Sequence, residues 1–226
     1  MRIFTMLVLG ILFIGCKKKE SPNPPGKVAL VAPAKNSECA PIQSAGNNTN
    51  VVLFAWQAGV NAETYDLRVT NLNSGTVQTK STKLLSETLP LVKGAPFSWV
   101  VVSRNSAVGT AVTSDTWHFF NPGANTIYVP FPAEILEPLF GARIFKDINN
   151  EVTLKWKGAD LDQDIVGYEV YLSVENPPLS LVASPTPGNT NLKISVASNT
   201  VYYWKVITND GKGNSSDSGI FNFKVL

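Results

Sequence analysis

Beyond residue 26 the chain alternates. Short runs with an apolar residue at every second position, "KVALVAP" (27–33), "NVVLFAWQ" (50–57), "TYDLRVTNL" (64–72), "FSWVVVSRN" (97–105) and "TWHFF" (116–120), are separated by clusters of Asn, Gly, Pro and Ser. Period-two alternation over so few residues, punctuated by turn formers, predicts strands with one buried face. No stretch carries the 3.6-residue period of an amphipathic helix. The pattern therefore predicts an all-β chain of sandwich type.

The second half repeats the first. "LFAWQAG" (53–59) aligns with "TLKWKGA" (153–159), "TYDLRV" (64–69) with "GYEVYL" (167–172), and "PFSWVVVSRN" (96–105) with "VYYWKVITND" (201–210). The endings also agree, "SDTWHF" (114–119) against "SDSGIFNF" (216–223), with two extra residues placed after the shared Ser-Asp. A period near one hundred residues means two domains rather than a solenoid. Trp56, Trp99, Trp117, Trp156 and Trp204 all fall at core parity, which predicts packing roles. Between the copies, Pro122, Pro130, Pro132 and Pro138 restrict the backbone to extended conformations, and a stiff joint is expected. Phe120, Tyr128 and Phe131 are candidates to pack there.

These residues carry a resemblance to the fibronectin type III fold. That family places a tryptophan in its second strand, matched by Trp56 and Trp156, and a tyrosine opening its third, matched by Tyr65 and Tyr168. Its sixth strand reads aromatic-x-apolar-x-Val before an Asn/Gly loop, matched by Phe97-Trp99-Val101 and Tyr202-Trp204-Val206. The resemblance covers residues 27–226 and implies two tandem immunoglobulin-like sandwiches, 27–121 and 138–226, around a Pro-rich linker at 122–137. It is specific for fold and weak for function.

The N-terminus changes the setting. Arg2 precedes an uncharged apolar run from Ile3 to Ile14, too short to span a bilayer and shaped like a signal peptide. The run ends in "FIGC", which resembles the lipobox of bacterial lipoproteins. The resemblance implies cleavage after residue 15, lipid on Cys16, and a tether over 16–26. Lys17, Lys18 and Lys19 would then lie among lipid headgroups, giving a membrane partner and an outer-membrane, cell-envelope location. Paired domains behind such a signal are similar to envelope lipoproteins that collect polysaccharides. Losing Arg2 leaves 18 of the 19 basic side chains against 17 acidic ones. A chain so nearly neutral lacks the basic footprint of a nucleic-acid binder. With Cys16 acylated, Cys39 has no internal partner; it reads as a loop thiol, open to reaction or to intermolecular pairing.

Catalytic constellations are missing. The one histidine, His118, sits at an outward position of a strand and reads as solvent-facing. No nucleophile elbow or Gly-rich phosphate loop occurs. Asp160, Asp162 and Asp164 alternate in "DLDQDI", but Ile165 and Tyr171 occupy the positions where an EF-hand needs glycine and a bidentate glutamate. In the fibronectin type III fold the loop after the sixth strand lies at the same end of the sandwich, bringing Asp210, Asn214 and Asp217. The six residues are either a calcium site or a pair of Asx-rich turns. Tyr171 and Tyr203 fall outward on neighbouring strands, as a platform for a sugar or protein partner or as a cross-strand pair. These features leave a non-catalytic module that binds glycan or protein, a spacer subunit of an envelope complex, or an accessory protein of polysaccharide degradation. Oligomeric state is not encoded in any of them. Metabolic fatty-acid labelling tests the anchor: Cys16→Ser is expected to lose the label and leave the membrane fraction, and a labelled C16S protein would overturn it.

Overall fold

The computed structural model describes residues 23–46, 48–123 and 128–226. The lipobox and Cys16 lie outside them. Among the described residues there are strands and no helix, hence no helix long and apolar enough to cross a membrane.

The first sandwich comprises β1 (Leu30–Ala32), β2 (Ser37–Glu38), β3 (Gln43–Ser44), β4 (Thr49–Trp56), β5 (Thr64–Asn71), β6 (Val77–Thr82), β7 (Ser86–Val92), β8 (Ala95–Asn105), β9 (Val108–Thr113) and β10 (Trp117–Asn121). The second comprises β11 (Phe131–Glu137), β12 (Ala142–Ile144), β13 (Glu151–Ala159), β14 (Ile165–Ser173), β15 (Leu181–Ala183), β16 (Asn191–Ser195), β17 (Val201–Asp210), β18 (Ser215–Asp217) and β19 (Phe221–Val225).

Both are built alike. A central strand, β4 or β13, pairs on one side with the opening strand, β1 or β11, and on the other with β7 or β16. The facing sheet runs β2-β10-β8-β5-β6 in the first copy and β12-β19-β17-β14-β15 in the second. In each copy the opening segment changes sheet, so that β2 and β12 lie parallel to the final strand. A sheet of three strands, to which the short β3 adds a fourth beside β4 in the first copy, facing a sheet in which the strand after the third stays beside the third is fibronectin type III-like topology.

The alternation dictates the cores. Trp56 meets Tyr65 edge-on at 5.8 Å and Trp156 meets Tyr168 at 5.7 Å, each contact joining the two sheets of one sandwich. Phe97 stacks on Phe119, and Tyr202 on Phe223. Trp56, Trp99, Trp156 and Trp204 are all buried, and Trp117 packs half-buried against the first core. Their four fully enclosed indole N–H groups find no acceptor among the described residues. The sites therefore select tryptophan for its volume, at the expense of an unmade hydrogen bond.

Two expectations are corrected. Residues 131–137 are not linker: Phe131 pairs with Ala159 and Ile135 with Trp156, making this segment the opening strand of the second sandwich. Apolar Phe131, Ala133 and Ile135 alternate with Pro132 and Glu134, and the prolines tolerate an edge position. The repeat alignment also shifts at its end. Ser114 exchanges hydrogen bonds with the Val101 backbone through both its N–H and its hydroxyl, and Ser218 does the same with Val206. Ser114 therefore corresponds to Ser218, and Trp117 to Phe221, because the hydroxyl bridges the break in the edge strand.

Trp156→Ala is expected to destabilise the second sandwich by about 3–5 kcal/mol. Calorimetry should show its transition lowered while the first sandwich's is kept. A single transition moved as a whole would mean that the two cores melt as one unit.

Candidate functional site

Packing of Tyr168 on Trp156 brings the start of β14 under the end of β13, with the Tyr168 hydroxyl against Gly158, where a Cβ would lie only 2.3 Å from it. The chain between them, Asp160–Asp164, is thus held at the end of the second sandwich nearest the joint. β17 closes the other side: Ile165 pairs with Asp210, and Gly211 N–H donates to the Asp164 carbonyl at 2.9 Å.

Within this frame one carboxylate oxygen each from Asp160, Asp164 and Asp210 lies within 4.8 Å of the others. Asp210 is almost fully buried, and burial pushes its carboxyl up. The Asn214 side chain and the backbone N–H groups of Asn214, Lys212 and Gly213 outweigh that, holding it below the usual carboxylate range. Asp160 is the reverse case. Both its oxygens are withdrawn from water with no donor among the described residues, as is Asp164 Oδ1. Burial first, then the Asp162 carboxylate through proton sharing and through its charge, and then proton sharing with Asp164, push Asp160 up to about 7. Lys212 is the counter-charge, 3.4 Å from Asp164 and 3.7 Å from Asp162.

The six expected ligands therefore divide. Asp160, Asp164 and Asp210 converge; Asn214 spends its amide N–H on Asp210; Asp162 turns to Lys212. Asp217 stands apart: it pairs with Ile207, three residues along β17 from Asp210 or roughly 10 Å, and bonds Lys205 at 2.8 Å and Gly219 N–H. The converging set suits a hard cation that prefers carboxylate, carbonyl and water oxygens. Among the described residues the matching end of the first sandwich holds no such cluster. There Glu63 accepts from Ser106 N–H, and Asn105 donates to the carbonyls of Asn23 and Asn61.

Tyr171 lies opposite Lys205, not Tyr203. Its hydroxyl donates to Glu169 at 2.7 Å, and the Lys205 ammonium sits 5.4 Å from its ring centre. Tyr203 faces Ser173 and Asn222. The two rings are diagonal neighbours, each half-buried, so the outward face is part aromatic and part charged.

Cys39 is not a loop thiol. It belongs to the first core, with Sγ 3.6 Å from Asn121 Oδ1, and burial, aided by Glu38, pushes it up to about 12. So protonated and enclosed, it cannot serve as a nucleophile at neutral pH. His118 does not face open solvent either. Its ring stacks on Phe131 at 6.2 Å, and burial, with a push from Lys35 that Glu134 opposes, lowers it to about 4. Lys35 and Glu134 pair at 2.6 Å between the sandwiches. Tyr128 packs edge-on against Phe120 and donates its hydroxyl to Glu38. Phe120, Tyr128 and Phe131 thus pack at the joint as the sequence suggested, whereas their partners His118 and Glu38 and the Lys35–Glu134 pair were not visible as a motif, since each contact links residues of different repeats or of the joint.

No protein-family model matches the chain, and no curated protein does. Similar solved structures include fibronectin(III)-like modules of Clostridium thermocellum CbhA, 12% identical over 88% of this chain and 93% of that one, with a TM-score of 0.35. A two-domain fibronectin type III segment of chicken tenascin is 14% identical over 88% of this chain and 99% of that one, with a TM-score of 0.29. The fold rests on the strand order and register above, which define two tandem fibronectin type III-like β-sandwiches.

His118 gives the joint a pH signature. Unfolded, it takes up a proton near 6.5; folded, only near 4. The unfolded chain binds the extra proton between those values, so this contribution is complete above 6.5 and lost as the pH falls towards 4. Urea titrations should show His118→Phe with a shallower acid loss of stability than the parent across that window. Superimposable profiles would rule this out.

Proposed function

We propose that this protein is a non-catalytic binding module of the cell envelope, lipid-anchored at Cys16, whose second sandwich holds a calcium ion at Asp160, Asp164 and Asp210. The observation that carries the calcium reading is Asp160. Two carboxylate oxygens shut away from water without a donor, beside two further carboxylates, are a repulsive arrangement that a divalent cation relieves. Asp160 and Asp164 would supply the unpartnered oxygens, Asp210 the ionised carboxylate already set by its hydrogen bonds, and water or carbonyls the remainder. The ion's service is structural: it ties the loop after β13 to the turn after β17 at the end of the sandwich nearest the joint.

The non-catalytic reading is supported by the states of the usual reactive groups. The histidine is kept neutral and packed on a phenylalanine, and the core cysteine is protonated and enclosed. A glycan or a protein of the envelope is the ligand class that suits exposed sheet faces on a nearly neutral chain. The spacer reading has its own support in the contacts across the joint, His118 on Phe131 and Lys35 with Glu134, which oppose free swivelling of the domains.

Thermal melts with calcium and with chelator test the ion. Saturation at about 100 times Kd adds about 2.7 kcal/mol, so the second transition should rise by several degrees. Asp160→Asn is expected to lose that response while gaining stability in chelator, and Asp162→Asn to keep most of it. Identical melts with and without calcium reject the site. Glycan-array retention separates a binding module from a spacer, for which an envelope complex would co-purify without sugar specificity.

A further inference from the structure

The first sandwich has one end turned away from the joint. β10 finishes at the opposite end, where Asn121 pairs with Ala95, the first residue of β8. The free end gathers the loop after β4, the loop after β6 and the turn after β8. Asn105, at the end of β8, donates to the Asn61 carbonyl, and the Leu85 carbonyl accepts from Trp56 N–H at 3.0 Å. The chain enters here as well: Pro25 is buried, and Gly26 N–H donates to the Val60 carbonyl at 2.6 Å.

Three aliphatic side chains stand in water at this end. Val60 is 74% exposed, Leu84 64% and Leu85 43%, with exposed Lys83 next in the chain. The second sandwich shows that the fold does not require them. Trp156 N–H donates to the Thr190 carbonyl as Trp56 N–H does to that of Leu85, so Leu84 and Leu85 correspond to Asn189 and Thr190. Val60, four residues past Trp56, corresponds to Asp160, four past Trp156. A lone exposed leucine is ordinary, but three aliphatic residues gathered where the sister domain is polar point to a surface that covers them.

We infer that this end is a membrane-contact surface, on which Val60, Leu84 and Leu85 enter the interfacial layer of the bilayer and the Lys83 ammonium lies among its headgroups. The inference rests on the reading of the chain as lipid-anchored at Cys16. Fully extended, the seven residues 16–22 reach roughly 25 Å, so the anchor keeps the end where the chain enters within that distance of the lipid. Aliphatic groups held so close gain by leaving water for the acyl boundary, and a lysine beside them lays its stem on apolar surface with its charge outward. A soluble partner or a second copy would need this face open to solution, where a tether this short does not leave it.

The test uses the acylated protein in vesicles of phosphatidylethanolamine with a quarter phosphatidylglycerol. An environment-sensitive thiol probe is placed at Leu84→Cys or, at the end of the second sandwich away from the joint, at Ile148→Cys, a position 98% exposed. Cys39 is enclosed and does not compete for the label. Nitroxide-bearing acyl chains should quench the Leu84 site several-fold more than the Ile148 site. Val60→Asn combined with Leu85→Thr, both at exposed positions, should return the Leu84 probe to water while the protein still floats with the vesicles. Equal quenching at the two sites, or quenching that survives Val60→Asn with Leu85→Thr, overturns the contact and leaves the anchor standing. A protein that no longer floats has no anchor, and the contact falls with it. If the Leu84 probe enters apolar surroundings without lipid, in a Cys16→Ser protein that sediments as a dimer, the face belongs to a second copy and the membrane contact is overturned.

Discussion

Trp156 against Tyr168, and its counterpart Trp56 against Tyr65, is the contact on which the rest of this molecule depends. In a chain whose described cysteine is unpaired, no covalent bridge joins the two sheets of either sandwich, and the stability of each must come from apolar packing. The tryptophan comes from one sheet and the tyrosine from the other, so the pair sets both the spacing of the layers and the path of the loop between the two strands. In the second sandwich that path requires Gly158, whose missing Cβ leaves room for the Tyr168 hydroxyl. Two residues later the chain reaches Asp160. The position of the acidic loop is thus a consequence of core packing.

The two sandwiches use one frame for opposite electrostatic ends. Each has the same loop after its central strand and the same turn after its sixth. In the first, amides and a glutamate hydrogen-bonded to backbone close the end with little unbalanced charge. In the second, three carboxylates face one another with a single lysine beside them. Burial makes the difference matter: an aspartate in open solvent stays ionised at little expense, whereas Asp160 resists ionisation up to about 7. The fold tolerates either end because the core beneath is the same.

The joint is the third consequence. The opening strand of the second sandwich begins within the segment that first read as linker, so few residues separate the two cores. Phe131 is therefore able to bury itself while stacking on His118, and Glu134 reaches Lys35. These contacts hold an edge of one domain against an edge of the other.

Strand positions, the duplication and the core tryptophans were legible in the sequence, because period-two alternation encodes burial one residue at a time and needs no partner to be known. The converging carboxylates were legible as well: the run of aspartates and the topology of the fold named Asp160, Asp164 and Asp210, though with three residues that do not join them. What failed did so for want of long-range information. Asp217 was grouped with the site although its pairing opposite Ile207 removes it by three residues from Asp210; Cys39 read as exposed because its neighbours in sequence are polar, and His118 because it alternates with the inward Trp117 and Phe119. The alternation along the chain determined two fibronectin type III-like sandwiches, since each strand carries its own record of which face is wet. Tertiary structure alone decided which carboxylates lose their water and which thiol and imidazole are enclosed, because desolvation depends on atoms that other parts of the chain bring near.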